Sequence, residues 1–156
     1  MNWILNNKEI NNIENFGPLT PYGFIYKITN IETGKFYIGK KQLISVTNKK
    51  LGKKELIKIR EERKANKVQG KLPSTKEVKT EGNWINYWGS CKPLLEEVKQ
   101  LGKEKFKREI IQLAYNTKQL SYFEVMYQIT ENVLHRDDCY NDNISGKYFK
   151  KDFINE

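Results

Sequence analysis

Polar and apolar positions alternate over residues 23–29 (GFIYKIT), with β-branched and aromatic side chains filling the apolar ones, and this pattern predicts a strand. Residues 30–34 supply turn chemistry, Gly34 being suited to positive φ, and residues 35–39 return as a second strand. The two form a β-hairpin. Side chains alternate faces along a strand, so a register with Tyr26 opposite Tyr37 puts both phenols on one face, and a slip of one residue would separate them. Residues 106–113 (FKREIIQL) read as a third strand. A short helix is expected over 93–101, with Pro93 in its first turn, Leu94, Leu95, Val98 and Leu101 as its apolar stripe, and Gly102 past its end. The longest helix is expected over 117–134. Residues 53–67 have helix-forming composition but a thin stripe of Leu56, Ile57 and Ile59, and residues 70–82 read as loop. The order β-β-α-β-α describes an α+β fold, a small three-stranded antiparallel-type sheet flanked by helices and carrying a basic helical and loop insert.

The domain plan follows. Residues 1–20, Asn-rich and weakly patterned, read as an N-terminal arm; 21–150 as a single domain; 151–156 as a C-terminal tail. A chain of 156 residues can bury a core without staples. Two cysteines make no disulfide framework, and the apolar run at residues 3–5 is too short for a secretory signal, so an intracellular, reducing compartment is expected. No apolar run approaches the ~20 residues of a membrane span. The net charge is +9, and residues 47–82 hold twelve Lys/Arg against five Asp/Glu, so +7 of it lies in the insert. Such a concentration fits a polyanionic partner. Arg60, Arg63, Lys64 and Lys67 fall at helical spacing on one face, either a solvated surface or a rail along phosphates. Lys40, Lys49, Lys50, Lys53 and Lys54 extend the candidate nucleic-acid surface.

Candidate chemistry gathers around the hairpin. Its strands carry the triplets Phe24-Ile25-Tyr26 and Tyr37-Ile38-Gly39. Downstream come Trp84-x-x-Tyr87-Trp88-Gly89-Ser90 with Lys92, then Leu101-Gly102-x-x-x-Phe106. Together, over residues 22–143, these resemble the GIY-YIG nuclease superfamily, in particular its phage-encoded and homing-type members. The resemblance implies a DNA endonuclease with Mg2+, or Mn2+, as cofactor. It places Tyr26 and Tyr37 at the active site and makes Glu124, on the long helix, the metal ligand. A single carboxylate suits Mg2+, which keeps much of its water shell. Ser121-x-x-Glu124 also fits a helix-capping box, which would turn the carboxylate back to the helix start; a helix beginning near Asn116 or Thr117 would leave it free. Asn141, with Asn143 behind it, matches an asparagine that serves the metal's surroundings or the phosphate, and Tyr87 and Ser90 are further candidates for contact with phosphate or water.

The chain departs from the family pattern at the arginine that many members carry about two helical turns after the second triplet. That place falls near Thr47. Arg60 and Arg63 are the first candidates for the catalytic cation, with Lys40 and Lys41, directly after Gly39, as alternatives, Lys41 standing next behind the arginines. Hydrolysis would need such a cation on the phosphate and a tyrosine to orient or deprotonate the water, the latter if nearby cations lower its pKa. DNA is the expected partner, RNA the alternative, with no membrane contact; target specificity falls to the insert, the arm or dimerisation. Two rivals stand beside the nuclease: a catalytically inactive nucleic-acid-binding protein on the same fold, and a phage-encoded interaction or inhibitor protein.

Overall fold

The computed structural model describes residues 1–154; the last two residues of the expected tail lie outside them. The strands are β1 (Trp3–Leu5), β2 (Lys8–Ile10), β3 (Gly23–Asn30), β4 (Phe36–Gln42), β5 (Ile44–Lys50), β6 (Thr75–Glu81), β7 (Phe106–Ala114), β8 (Asn143–Ile144) and β9 (Tyr148–Phe149). The helices are α1 (Lys53–Ala65), α2 (Lys92–Leu101) and α3 (Thr117–Thr130). The chain divides into two compact units: Met1–Leu43 with the chain from Gly82 onward, and Ile44–Glu81.

The first unit is α+β, but its sheet has five strands rather than three, in the order β2-β1-β7-β3-β4. β3 is antiparallel to both β4 and β7, whereas β1 joins β7 in parallel, so the sheet is mixed. The two extra strands come from the expected arm. Asn6 and Asn7 take positive φ (50° and 63°), which suits a two-residue turn between β1 and β2. Burial of Trp3, whose indole N–H donates to the Trp84 carbonyl (2.8 Å), anchors the hairpin.

On one face of the sheet, Ile25, Phe36, Ile38 and Ala114 pack with Leu120 of α3 and with Val133, Leu134 and Ile144. The opposite face is aromatic: Trp3, Phe24 and Tyr26 meet at ring-centroid distances of 5.0 to 6.3 Å, with Trp84 against Phe24. Trp84 and Trp88 are core residues. Arg108 is buried between the rings of Trp3 and Trp88 and donates to the carbonyls of Ile85 and Tyr87 (2.9 and 2.8 Å), holding the loop that carries Tyr87.

β4 is an edge strand, and an open edge invites pairing with other chains. Here it is covered. Phe36 N–H donates to Asp138 O and Tyr140 N–H to Phe36 O (3.2 and 2.8 Å). The Asn141 amide continues the pairing, accepting from Ile38 N–H (2.9 Å) and donating to Ile38 O (2.8 Å). The segment after Tyr140 also folds into the small β8–β9 hairpin.

The second unit pairs β5 with β6, antiparallel over seven residues, and carries α1 between them. The loop expected over 70–82 is thus largely a strand. Within this unit Glu55 accepts from Gly52 N–H (2.9 Å), which caps α1, and also pairs with Lys76 on β6. Helix α1 ends at Ala65, so Lys67, in the left-handed region at φ 52°, lies past its end and not on the expected helical face. None of the residues of α1 is buried.

Candidate active site

The hairpin register differs from the expected one by two residues. Tyr26 stands opposite Gly39, and Tyr37 opposite Ile28. Two residues is one full period of side-chain alternation, so both phenols still share a face. The shift places Tyr26 across Gly39, and its ring needs that glycine. A Cβ built at Gly39 would lie 2.5 Å from Tyr26 Oη, 2.7 Å from Tyr26 Cζ and 2.8 Å from Tyr37 Cε1. A Cβ on Gly89, at φ 89°, would also lie 3.3 Å from this hydroxyl. The Tyr26 hydroxyl therefore packs against two glycines, and the residue is 1% exposed. Its phenol hydrogen-bonds Tyr87, whose ring stands edge-on at 5.9 Å, and Lys41 Nζ caps the Tyr87 ring at 4.3 Å.

Tyr37 instead faces a cavity of about 430 Å3 beside the β4 edge. Its walls include Ser90, Lys92, Glu124, Gln128, Tyr140 and Asn141. Ser90 hydrogen-bonds the Tyr37 phenol. Glu124 arrives on α3. That helix begins at Thr117, capped by the Asn116 side chain, which accepts from Gln119 N–H (2.8 Å). Glu124 is thus interior to the helix and the capping-box alternative falls away. Gln128, one turn further along the same helix, donates to Ile38 O (3.1 Å) and fastens α3 to β4. Glu124 Oε2 lies 2.9 Å from Lys40 Nζ.

The structure thus brings Tyr37, Ser90, Glu124 and Asn141 to one cavity and joins Lys40 to it through Glu124. Tyr26 and Tyr87 form the packed layer behind. Asn143 lines the cavity as well. Arg60 and Arg63 belong to the second unit. There Arg60 lines a hollow with Leu56, Leu72 and Pro73, and Arg63 donates to the carbonyls of Gly70 and Lys71 (3.2 and 3.1 Å). Lys49, Lys50, Lys53, Lys54 and Lys64 are exposed on that unit. Sequence reasoning missed Gln128. Its signal was the helical spacing, four residues from Glu124.

Neither motif tyrosine is tuned toward its phenolate. Burial is the largest cause for both, raising Tyr37 to about 12 and Tyr26 well above its ordinary value, and neighbouring tyrosines and Glu124 add to it. Burial also raises Tyr140, which donates to Glu97 (2.7 Å). A phenol whose pKa is higher folded than unfolded stabilises the fold fully below the unfolded value near 10, and that contribution is lost as pH rises through the folded value. Of the nine tyrosines, these three are expected to ionise late in an ultraviolet titration. Denaturant melts should show stability falling between about pH 10 and 12, by roughly 2 kcal/mol for Tyr37 alone. Tyr37→Phe should remove that share of the slope, and an unchanged slope would contradict the assignment.

The donor set discriminates between metals. Among the described residues there is no group of three or more His, Cys, Asp and Glu able to hold an ion, so the side chains of a structural zinc centre are lacking. The polar cavity, with room for water, is lined by two carboxylate residues, Glu124 and Asp142, a sparse oxygen donor set that fits an ion such as Mg2+ or Mn2+, which would keep much of its hydration shell. No helix among the described residues is long and apolar enough to cross a membrane.

Among known families, the model described as "Putative endonuclease segE, GIY-YIG domain" matches residues 3–149. No curated protein and no solved structure matches.

Proposed function

The chain belongs to the GIY-YIG endonuclease family, matched over residues 3–149, and from that premise we propose that it hydrolyses phosphodiester bonds in DNA with Mg2+ or Mn2+. The observation that carries this reading is the meeting of Tyr37 and Glu124, from the two ends of the domain, in one cavity. Glu124 is the residue that would hold the ion. When bound, such an ion would supply Lewis acidity for phosphodiester hydrolysis.

The remaining work falls to the chain's own groups. Tyr37, protonated and hydrogen-bonded by Ser90, presents a hydroxyl to the cavity and orients the attacking water rather than deprotonating it. Lys40, with Lys92 on the cavity wall, provides the cationic charge for the phosphate in the first unit. Tyr26 is a positioning residue, acting by packing on Gly39 and hydrogen-bonding Tyr87. Asn141 acts through the backbone of Ile38, fixing β4 between Tyr37 and Gly39. The second unit, with twelve Lys/Arg against five Asp/Glu, binds the sugar-phosphate backbone and so contributes affinity and register rather than sequence information.

The test is cleavage of supercoiled plasmid with Mg2+ by Tyr37→Phe and Tyr26→Phe. Removing the Tyr37 hydroxyl should lower the rate by 10- to 1000-fold, the loss expected of one aligned hydrogen-bonding group in a transition state, with DNA binding retained. Tyr26→Phe keeps the ring packing and should lose less. Reversed losses would exchange the two roles, and equal losses would remove the distinction between them. Salt-sensitive binding without cleavage of any DNA or RNA would favour the catalytically silent binding protein.

A further inference from the structure

Lys40 follows Gly39 directly on β4 and therefore points to the opposite face from Tyr37, toward α3. Its ammonium lies 2.9 Å from Glu124 Oε2, the carboxylate assigned above to the metal. The pair is unequal in exposure: the Lys40 side chain is 40% accessible, that of Glu124 18%. The lysine can thus leave toward solvent on its flexible stem while the glutamate stays at the cavity. The other cations near the hairpin are placed differently. Lys41 lies over the Tyr87 ring, and Arg136 is paired with Asp138.

We propose that Lys40 is an exchangeable counter-ion of the metal site: it holds Glu124 in the metal-free protein, is displaced when a divalent cation takes that carboxylate, and is then free to bind a DNA phosphate. This rests on Glu124 being the metal ligand. The exchange follows from charge. A carboxylate paired with an ammonium is neutral, and replacing the ammonium by a divalent ion adds positive charge at the cavity. The displaced ammonium is strongly hydrated and mobile, and a phosphate is its natural new partner. Metal occupancy and phosphate binding are coupled by this one side chain, and coupling of that kind is reciprocal. The DNA phosphate, by drawing Lys40 away, makes the carboxylate a better ligand.

Two measurements on Lys40→Met, with Lys40→Gln as a second variant should the first be poorly soluble, test the proposal. Calorimetric titration with Mn2+ should show tighter binding than wild type by roughly two- to fivefold, the size expected from losing a partly exposed ion pair. DNA binding should then be measured against salt, with and without a fixed low concentration of Ca2+ as the probe ion. Without Ca2+ the two proteins should share one slope of log affinity against log salt. With Ca2+ the wild-type slope should be steeper by about 0.9, one additional phosphate contact. Unchanged or weaker Mn2+ affinity in both variants, or equal slopes in the presence of Ca2+, would overturn the proposal. Mn2+ binding that survives Glu124→Gln at full strength would instead remove the metal assignment itself.

Discussion

Glu124→Gln is expected to abolish metal-dependent cleavage while leaving the fold intact. The substitution keeps the shape of the side chain and removes its charge, so it isolates the carboxylate proposed to hold the ion from its neighbour at the cavity, Asp142. A loss of at least about 1000-fold is expected if the carboxylate fixes the ion, since both water activation and charge neutralisation depend on it. The cost to stability should be small. Glu124 is only partly buried, and its partner Lys40 is largely exposed, so the pair contributes about 1 kcal/mol or less. Plasmid cleavage and thermal melting on the same preparation separate the outcomes. Cleavage that persists at the wild-type rate would show the metal assignment to be wrong. Cleavage lost together with the melting transition would mean that Glu124 supports the fold.

Gly39→Ala is expected to damage both stability and activity. The added methyl would overlap Tyr26 and Tyr37 at 2.5 to 2.8 Å, well inside any normal contact. An exposed tyrosine could swing aside. Tyr26 cannot, because Trp3 and Tyr87 pack its ring at centroid distances of 5.4 and 5.9 Å and Gly89 closes the hydroxyl end. The strain should cost about 1–3 kcal/mol, as overpacking of filled cores does. It should also push Tyr37 out of register with Glu124 and slow cleavage by about 100-fold. Gly34→Ala is the matched control. Its Cβ meets nothing within 4 Å, so only the positive φ of 74° is penalised, by about 1 kcal/mol and without an effect on cleavage. A Gly39→Ala protein that melts and cuts like wild type would refute the argument.

The elements nearest the site were legible from residue type and punctuation. β3 is buried on both faces and is filled with aromatic and β-branched residues, and Pro93 and Gly102 punctuate α2 as helix-end rules require. The register was less legible, since it depends on where the turn closes. Asn30 Oδ1 accepts from Glu32 and Thr33 N–H, and Gly34 takes positive φ at the end of the loop, so pairing resumes only at Lys35, whose carbonyl accepts from Asn30 N–H. A tighter turn has no residue fit for that backbone. The β1–β2 hairpin left a usable signal in Asn6-Asn7, hidden by the polar composition around it. β6 left almost none. Its sequence TKEVKTE has a single half-buried apolar residue, Val78, and its pairing with β5 rests on backbone hydrogen bonds that alternation cannot reveal. Of the candidate site, Tyr37 and Glu124 were visible through family resemblance, and Lys40 as a cation following Gly39. The pairing of Lys40 with Glu124 and the bond from Gln128 to Ile38 were not, because they arise from the juxtaposition of β4 with α3.

The first unit releases its chain at Leu43 and recovers it at Gly82. Leu43 is fully buried, its N–H donates to Tyr22 O (2.9 Å), and Gly82 N–H donates back to Leu43 O (2.8 Å). The two ends are therefore clasped together before anything between them is considered. In engineering terms this is an insertion port. The entropy of bringing distant ends together rises only slowly with the length threaded between them, and here the fold has already fixed those ends. Residues 44–81 can be lengthened, trimmed or traded for another module without re-registering β3 against β4. A foreign hairpin grafted between Leu43 and Gly82 should therefore leave the β3–β4 pairing and the cavity of Tyr37 and Glu124 unaltered.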